Sequence, residues 1–183
     1  MRILGVDPGL TRCGLGVIDV DPRGAARLVF VDVVRTPAKN PLGQRLAYIL
    51  ERFETLLARH DPQALALERV FAQDNVASVM GTAQVSGVIL AAATRASVNV
   101  ETYTPSEVKA AVTGSGRANK AQVGVMVARA LGLTQAPEPA DAADALAIAL
   151  THARRTPVRS PSRPATQAQR QWQEAESRAR AQK

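Results

Sequence analysis

The sequence predicts an α/β fold built on a five-stranded mixed sheet, in which three antiparallel strands are joined to parallel ones. Three observations predict it. The first 35 residues carry three apolar runs separated by turn residues, as an antiparallel meander does. From Pro41 onward apolar residues recur at three- and four-residue spacing, interrupted by two short runs near residues 64–67 and 98–102. A helix between those two runs requires a parallel crossover.

The elements follow in order. Strand one, about 2–7, is the run Ile3-Leu4-Gly5-Val6, and it delivers Asp7 to the mouth of a turn. Pro8 lacks a donor and Gly9 is free to take a positive φ, so the ladder stops there. Leu15-Gly16-Val17-Ile18 resumes as strand two, about 14–20. Asp21-Pro22-Arg23-Gly24 sets Pro and Gly at the second and fourth positions of a type I turn. Strand three is Arg27 to Arg35, rich in Val and Phe.

Pro41 opens a helix whose Leu42, Leu46, Ile49, Leu50, Phe53 and Leu57 share one face, and Asp61-Pro62 stops it. Ala64-Leu65-Ala66-Leu67 is wholly apolar and ends in Glu68, which suits a strand buried on both faces. A long small-residue helix, about Asn75 to Arg95, leads to strand five at Val98–Thr102. Thr104-Pro105-Ser106-Glu107 is a capping box with Pro at the first helical position, opening a helix to about Val112. After the loop Thr113-Gly114-Ser115-Gly116-Arg117, Asn119 caps a helix that ends at Gly132. Ala140 to about Ala153 forms the last helix.

Charge divides the chain. Residues 1–150 hold 15 basic and 14 acidic residues, whereas residues 151–183 hold 8 and 2. The high isoelectric point is therefore a property of the tail, and it says little about whether the folded part binds nucleic acid. The predicted domain is 1–153. Residues 154–183 read as a basic, disordered tail with a transient helix at Gln167–Ala181. No run approaches the ~18 uninterrupted apolar residues of a membrane span. Asp7 and Pro8 interrupt the first apolar run, against a signal peptide. The single cysteine, Cys13, suits a reducing compartment, so the expected location is cytoplasmic. No Cys/His cluster is present for zinc.

Asp7 alone reads as a polar cap on a strand end, although a charge there is costly. Three further acids change its context. Glu68 ends strand four, which lies beside strand one in such a sheet. Asp141 and Asp144 are three apart in the first turns of the last helix, so they share a face near the positive end of its dipole. Two carboxylates about 5 Å apart repel by roughly 3 kcal/mol at an effective dielectric near 20. Four at one place are unfavourable without protonation or cations; divalent metal is the natural counter-ion, and all-oxygen ligation favours Mg²⁺ or Mn²⁺. Two such ions support phosphodiester hydrolysis. Spacing alone leaves the alternative open: Asp141 as a helix-start acid, Asp144 on a solvated face, Glu68 paired with Arg69.

Asp7-Pro8-Gly9 with Gly14, then Leu67-Glu68-Arg69-Val70-Phe71, then Asp141-Ala142-Ala143-Asp144-Ala145-Leu146-Ala147 resemble the three acidic motifs of the RuvC crossover junction endodeoxyribonucleases. Order and approximate spacing match over about residues 1–153. The resemblance implies a ribonuclease H-like fold with helices on both faces of the sheet. It implies a homodimer that binds four-way (Holliday) junction DNA in recombination and repair. That dimer nicks two opposing strands symmetrically, leaving ligatable 5′-phosphate and 3′-hydroxyl ends. Carried over by motif, Asp7, Glu68, Asp141 and Asp144 are the catalytic and metal-binding set for two Mg²⁺ ions, with Mn²⁺ as a substitute. Some relatives have His where this chain has Asp141. RuvA and RuvB are implied as branch-migration partners.

Lys109, Arg117 and Lys120 resemble the family's DNA-contacting basic residues, and Phe71 a position that stacks on or wedges near junction bases. The bland alternatives are solvated helix ends for the lysines and core packing for Phe71. Gly81, Ala83, Gly87, Ala91 and Ala92 permit close helix approach, either across a dimer surface or onto the protomer's own sheet. Other functions fit less well. An actin-like ATPase needs a second phosphate-binding subdomain. A ribosomal-RNA-processing nuclease differs in substrate. A noncatalytic junction- or duplex-binding module predicts that Asp7→Asn changes nothing. His60 and His152 carry no constellation. Trp172 and the tail arginines offer nonspecific, salt-sensitive DNA affinity.

Overall fold

The computed structural model describes residues 1–70 and 76–156, with the side chains of residues 76–78 outside that description. Ten elements follow one another: β1 (Arg2–Asp7), β2 (Arg12–Val20), β3 (Ala26–Arg35), α1 (Leu42–His60), β4 (Ala64–Glu68), α2 (Val76–Arg95), β5 (Asn99–Tyr103), α3 (Pro105–Thr113), α4 (Lys120–Leu131) and α5 (Ala140–Arg155). The sheet order is β3-β2-β1-β4-β5. β1, β2 and β3 are antiparallel neighbours, and β4 runs parallel to both β1 and β5. The mixed five-stranded sheet is the expected one. β2 starts earlier than its apolar run because Arg12 and Cys13 pair with Arg35 and Val34. β5 extends to Tyr103, which pairs with Glu68.

Alternation along the strands assigns two faces. Leu4, Val6, Leu15, Val17, Leu65 and Leu67 pack with Ile49 and Phe53 of α1 and Val85 and Ile89 of α2. Ile3, Ile18 and Ala66 point the other way, to Val108 of α3, Val127 of α4 and Leu146 and Ile148 of α5. The predicted capping box forms on Thr104 with Glu107, and the predicted Asn119 cap forms as a second box with Gln122.

α5 lies directly on β1 and β2, and glycines make that possible. A Cβ on Gly5 would stand 2.1 Å from the Ala145 carbonyl oxygen, and one on Gly14 would stand 2.2 Å from that of Asp141. The helix answers with Ala145 and Ala149, so backbone meets backbone. Gly9 differs from expectation. It is not among the positive-φ residues; what it supplies is room, since a Cβ would sit 2.0 Å from the Arg12 carbonyl oxygen. Among the described residues no helix is long and apolar enough to cross a membrane.

Candidate active site

Parity brings the first two acids together. β1 and β4 are parallel with Val6 opposite Leu67, so the next residues, Asp7 and Glu68, end adjacent strands on the face opposite Val6 and Leu67. That is the face α5 covers. Gly14, the cross-strand partner of Asp7, admits the first turn of α5, which carries Asp141, with Asp144 one turn on.

Asp7 feels the other three acids. Burial pushes the Asp7 carboxyl up to about 8, and Glu68, Asp144 and Asp141 add to the rise while Lys120 opposes it. Glu68 is also raised, by burial first and then by Asp144. A hydrogen bond with Asp7 and the nearby charges of Lys120 and Lys109 oppose that rise. A hydrogen bond between two carboxyls requires a proton on one of them. Burial also pushes the Cys13 thiol up to about 12, so it is no nucleophile.

Cations hold the two acids of α5. Lys120 Nζ lies 3.0 Å from Asp144 Oδ2, and Arg12 Nε lies 3.0 Å from Asp141 Oδ2. Lys109 is half-buried on α3. Arg117 is exposed, its backbone N–H donating to Ser115 Oγ at 3.3 Å. Arg69 does not pair with Glu68; its Nη2 donates to Thr102 Oγ1 at 3.1 Å. Phe71 lies outside the described residues.

Among the described residues no three acidic, histidine or cysteine side chains close into a ready metal cage. The side-chain placements give the reason: Asp141 and Asp144 are turned onto Arg12 and Lys120. The donor set nevertheless fits a divalent ion. It is all carboxylate oxygen, and two of its members are short of the positive charge that would keep them ionised.

Residues 3–152 match the family model described as crossover junction endodeoxyribonuclease RuvC. The chain belongs to the RuvC family. It is 58% identical over 168 residues to the crossover junction endodeoxyribonuclease RuvC of Parafrankia sp., covering 92% of this chain and 94% of that one. It also resembles T. thermophilus RuvC in a structure with a Holliday junction substrate, at 41% identity and a TM-score of 0.81, covering 86% of this chain and 95% of that one. The yeast mitochondrial Holliday junction resolvase Ydc2, at 14% identity and a TM-score of 0.62 over 83% of this chain and 77% of that one, shares the fold. The ribonuclease H-like expectation therefore holds. RuvC-family nucleases are metal-dependent.

Two residues near the four acids carry no signal of their own in the sequence. Arg12 precedes the predicted start of strand two, yet it opens β2 and meets Asp141. Arg45 sits one residue before Leu46 in α1 and off the predicted apolar stripe, where charge suggests solvent. Instead it is only 9% exposed. Its Nε donates to Thr36 Oγ1 at 2.8 Å and its Nη2 to Thr11 Oγ1 at 3.0 Å. Thr36 Oγ1 in turn donates to the Leu10 carbonyl, and Leu10 packs against Gly81 of α2. A buried guanidinium with neutral acceptors thus ties down the turn that follows Asp7. The only advance signal was the pair of threonines, which sequence separation hid.

Proposed function

We propose that this chain resolves four-way DNA junctions as a homodimer, cutting two opposing strands with Asp7, Glu68, Asp141 and Asp144 as metal-binding catalytic residues. The observation that carries the reading is that Asp7 and Glu68, at the ends of adjacent strands, are both raised by burial and by Asp144 of α5. Perturbed carboxylates of this kind concentrate at functional sites. Asp7, Glu68, Asp141 and Asp144 would hold two Mg²⁺ ions, or Mn²⁺ in their place, which when bound would supply positive charge for phosphodiester hydrolysis.

The chain's own residues do the rest. The sheet ends fix Asp7 and Glu68, and the furrow at Gly5 and Gly14 fixes the height of Asp141 and Asp144 above them. Lys120 balances the charge of Asp144. Lys109, Arg117 and Phe71 engage the DNA, the basic groups at phosphates and the ring at a base. The nuclease domain spans 1–153, and the basic tail, 154–183, adds salt-sensitive affinity. RuvA and RuvB are the partners at the junction.

A dimer gives two cuts. Its surface is the outer side of α2, where Met80 is 54% and Leu90 37% exposed beside the small exposed residues Ala83, Gly87 and Ala91. Gly81 and Ala92 face the protomer's own core instead. Leu90→Glu should shift the sedimentation of the protein from dimer toward monomer.

The deciding test is a synthetic four-way junction with Mg²⁺, comparing wild type with Asp7→Asn. The expected result is retained junction binding with cleavage lost. Equal cleavage by the two proteins refutes the assignment. Duplex DNA and RNA of matched sequence, cut as fast as the junction, would refute the substrate.

A further inference from the structure

We propose that Arg12 and Arg35 form a seat for a DNA backbone phosphate at the rim of the acid pocket. This deepens the nuclease reading and rests on it. The two residues are direct cross-strand partners at the end of the β2–β3 ladder. Opposite side chains of an antiparallel pair share a face, with Cβ atoms about 4.5–5.5 Å apart, and like charges there are destabilising. Arg12 has the parity of Gly14 and Gly16, so the pair stands on the face of α5 and Asp7.

Both arginines are exposed. Among the described residues the one ion pair either makes is Arg12 Nε with Asp141 Oδ2 at 3.0 Å. Among the described residues Arg35 reaches no carboxylate. The chain treats its other arginine pair differently: Arg2 and Arg27 both bond Asp19, each at 2.8 Å. One carboxylate for two guanidiniums leaves the pair a net positive charge, and a phosphodiester matches the planar fork of arginine. Arg12 engages Asp141 through Nε, and neither Nη atom has a recorded partner among the described residues. One guanidinium can then bridge Asp141 and a phosphate, setting the strand's distance from the acids.

The test is junction affinity of the full chain against salt concentration, in EDTA so that no cleavage occurs. Each phosphate contact contributes about 0.9 to the slope of log K against log salt. The double variant Arg12→Gln/Arg35→Gln should flatten the slope by about 0.9, the share of one phosphate, and Arg35→Gln alone by part of that. Arg35→Lys should restore most of the slope. Relief of like-charge repulsion predicts that Arg35→Gln melts no lower than wild type. Unchanged slopes overturn the seat, as does a lower melting temperature with the slope intact, which would give the pair a structural role. Cleavage by Asp7→Asn is scored separately, so the nuclease reading can fail or survive independently of the seat.

Discussion

β1 and β2 carry a carboxylate at each end of one antiparallel ladder, and the two meet opposite fates. At one end Asp19 faces Arg2, which donates from Nε at 2.8 Å and Nη2 at 3.0 Å, and Arg27 adds a third bond. The hydrogen bond from Arg2 holds the Asp19 carboxyl below its ordinary value. At the other end Asp7 faces Gly14, which offers no side chain. Burial and three neighbouring acids push Asp7 up to about 8. Strand geometry is the same at both ends; what stands opposite the acid differs. One end spends its carboxylate on stability. The other keeps a carboxylate short of partners, which is the condition for recruiting a cation.

The most damaging way to break this contrast is to fill the space opposite Asp7. Gly14→Ala puts a Cβ 2.2 Å from the Asp141 carbonyl oxygen, which belongs to helix backbone and cannot rotate aside. α5 must lift, at a cost of about 3 kcal/mol. Cleavage should be lost with it, because Asp141 and Asp144 ride on that turn. Thermal melting and junction cleavage on the same preparation check both. Normal cleavage would mean that the seating of α5 does not govern the site.

Next in size is Arg45→Met. It leaves Thr11 and Thr36 without their charged donor, a loss of about 2–3 kcal/mol. The turn after Asp7 loosens, so cleavage should fall more than junction affinity does. Arg45→Lys should recover little, because one ammonium cannot span both hydroxyls as a planar fork does.

The sheet was legible because apolar runs and turn residues alternate cleanly, and a helix between Ala64–Leu67 and Val98–Thr102 admits only a parallel crossover. Both helix caps were legible because they are local. The acids were legible as motifs, and their convergence follows from parity: Val6 and Leu67 are buried on one face, so Asp7 and Glu68 share the other. Three things were not legible. Small residues surround α2 on all sides, so periodicity could not say that Gly81 and Ala92 turn inward while Ala83, Gly87 and Ala91 turn out. Arg12 carries no strand signal of its own and is in the ladder because Arg35 is across from it. Arg45 is buried by two threonines 34 and 9 residues away in the chain, a long-range fact.

The contrast sharpens with pH. Folded, metal-free protein keeps the Asp7 proton to about pH 8, whereas the unfolded chain releases it near pH 4. Between those values the native state binds more protons, so this group's contribution to stability falls as pH rises. Asp7→Asn removes the penalty. In EDTA the variant should match wild type near pH 4 and exceed it by a margin that widens as pH rises toward 8. A difference independent of pH would show that Asp7 is not destabilised by its neighbours.

Asp19→Asn is the mirror experiment and the smallest effect. Its folded pKa is depressed, so the stabilisation is present above the unfolded value and lost as pH falls through the folded one. Solvent reaches Asp19, which screens the pair. The expected loss at pH 7 is therefore modest, a melting temperature lower by about 2–4 °C. That gap should close as the solution is taken below about pH 4, where wild type begins to lose the same charge. It should also narrow in high salt, which leaves a buried, unpaired carboxylate such as Asp7 much less affected. Opposite pH slopes for Asp7→Asn and Asp19→Asn, measured in one chain, would establish that a single ladder carries one carboxylate for folding and one for chemistry. Parallel slopes would remove the distinction.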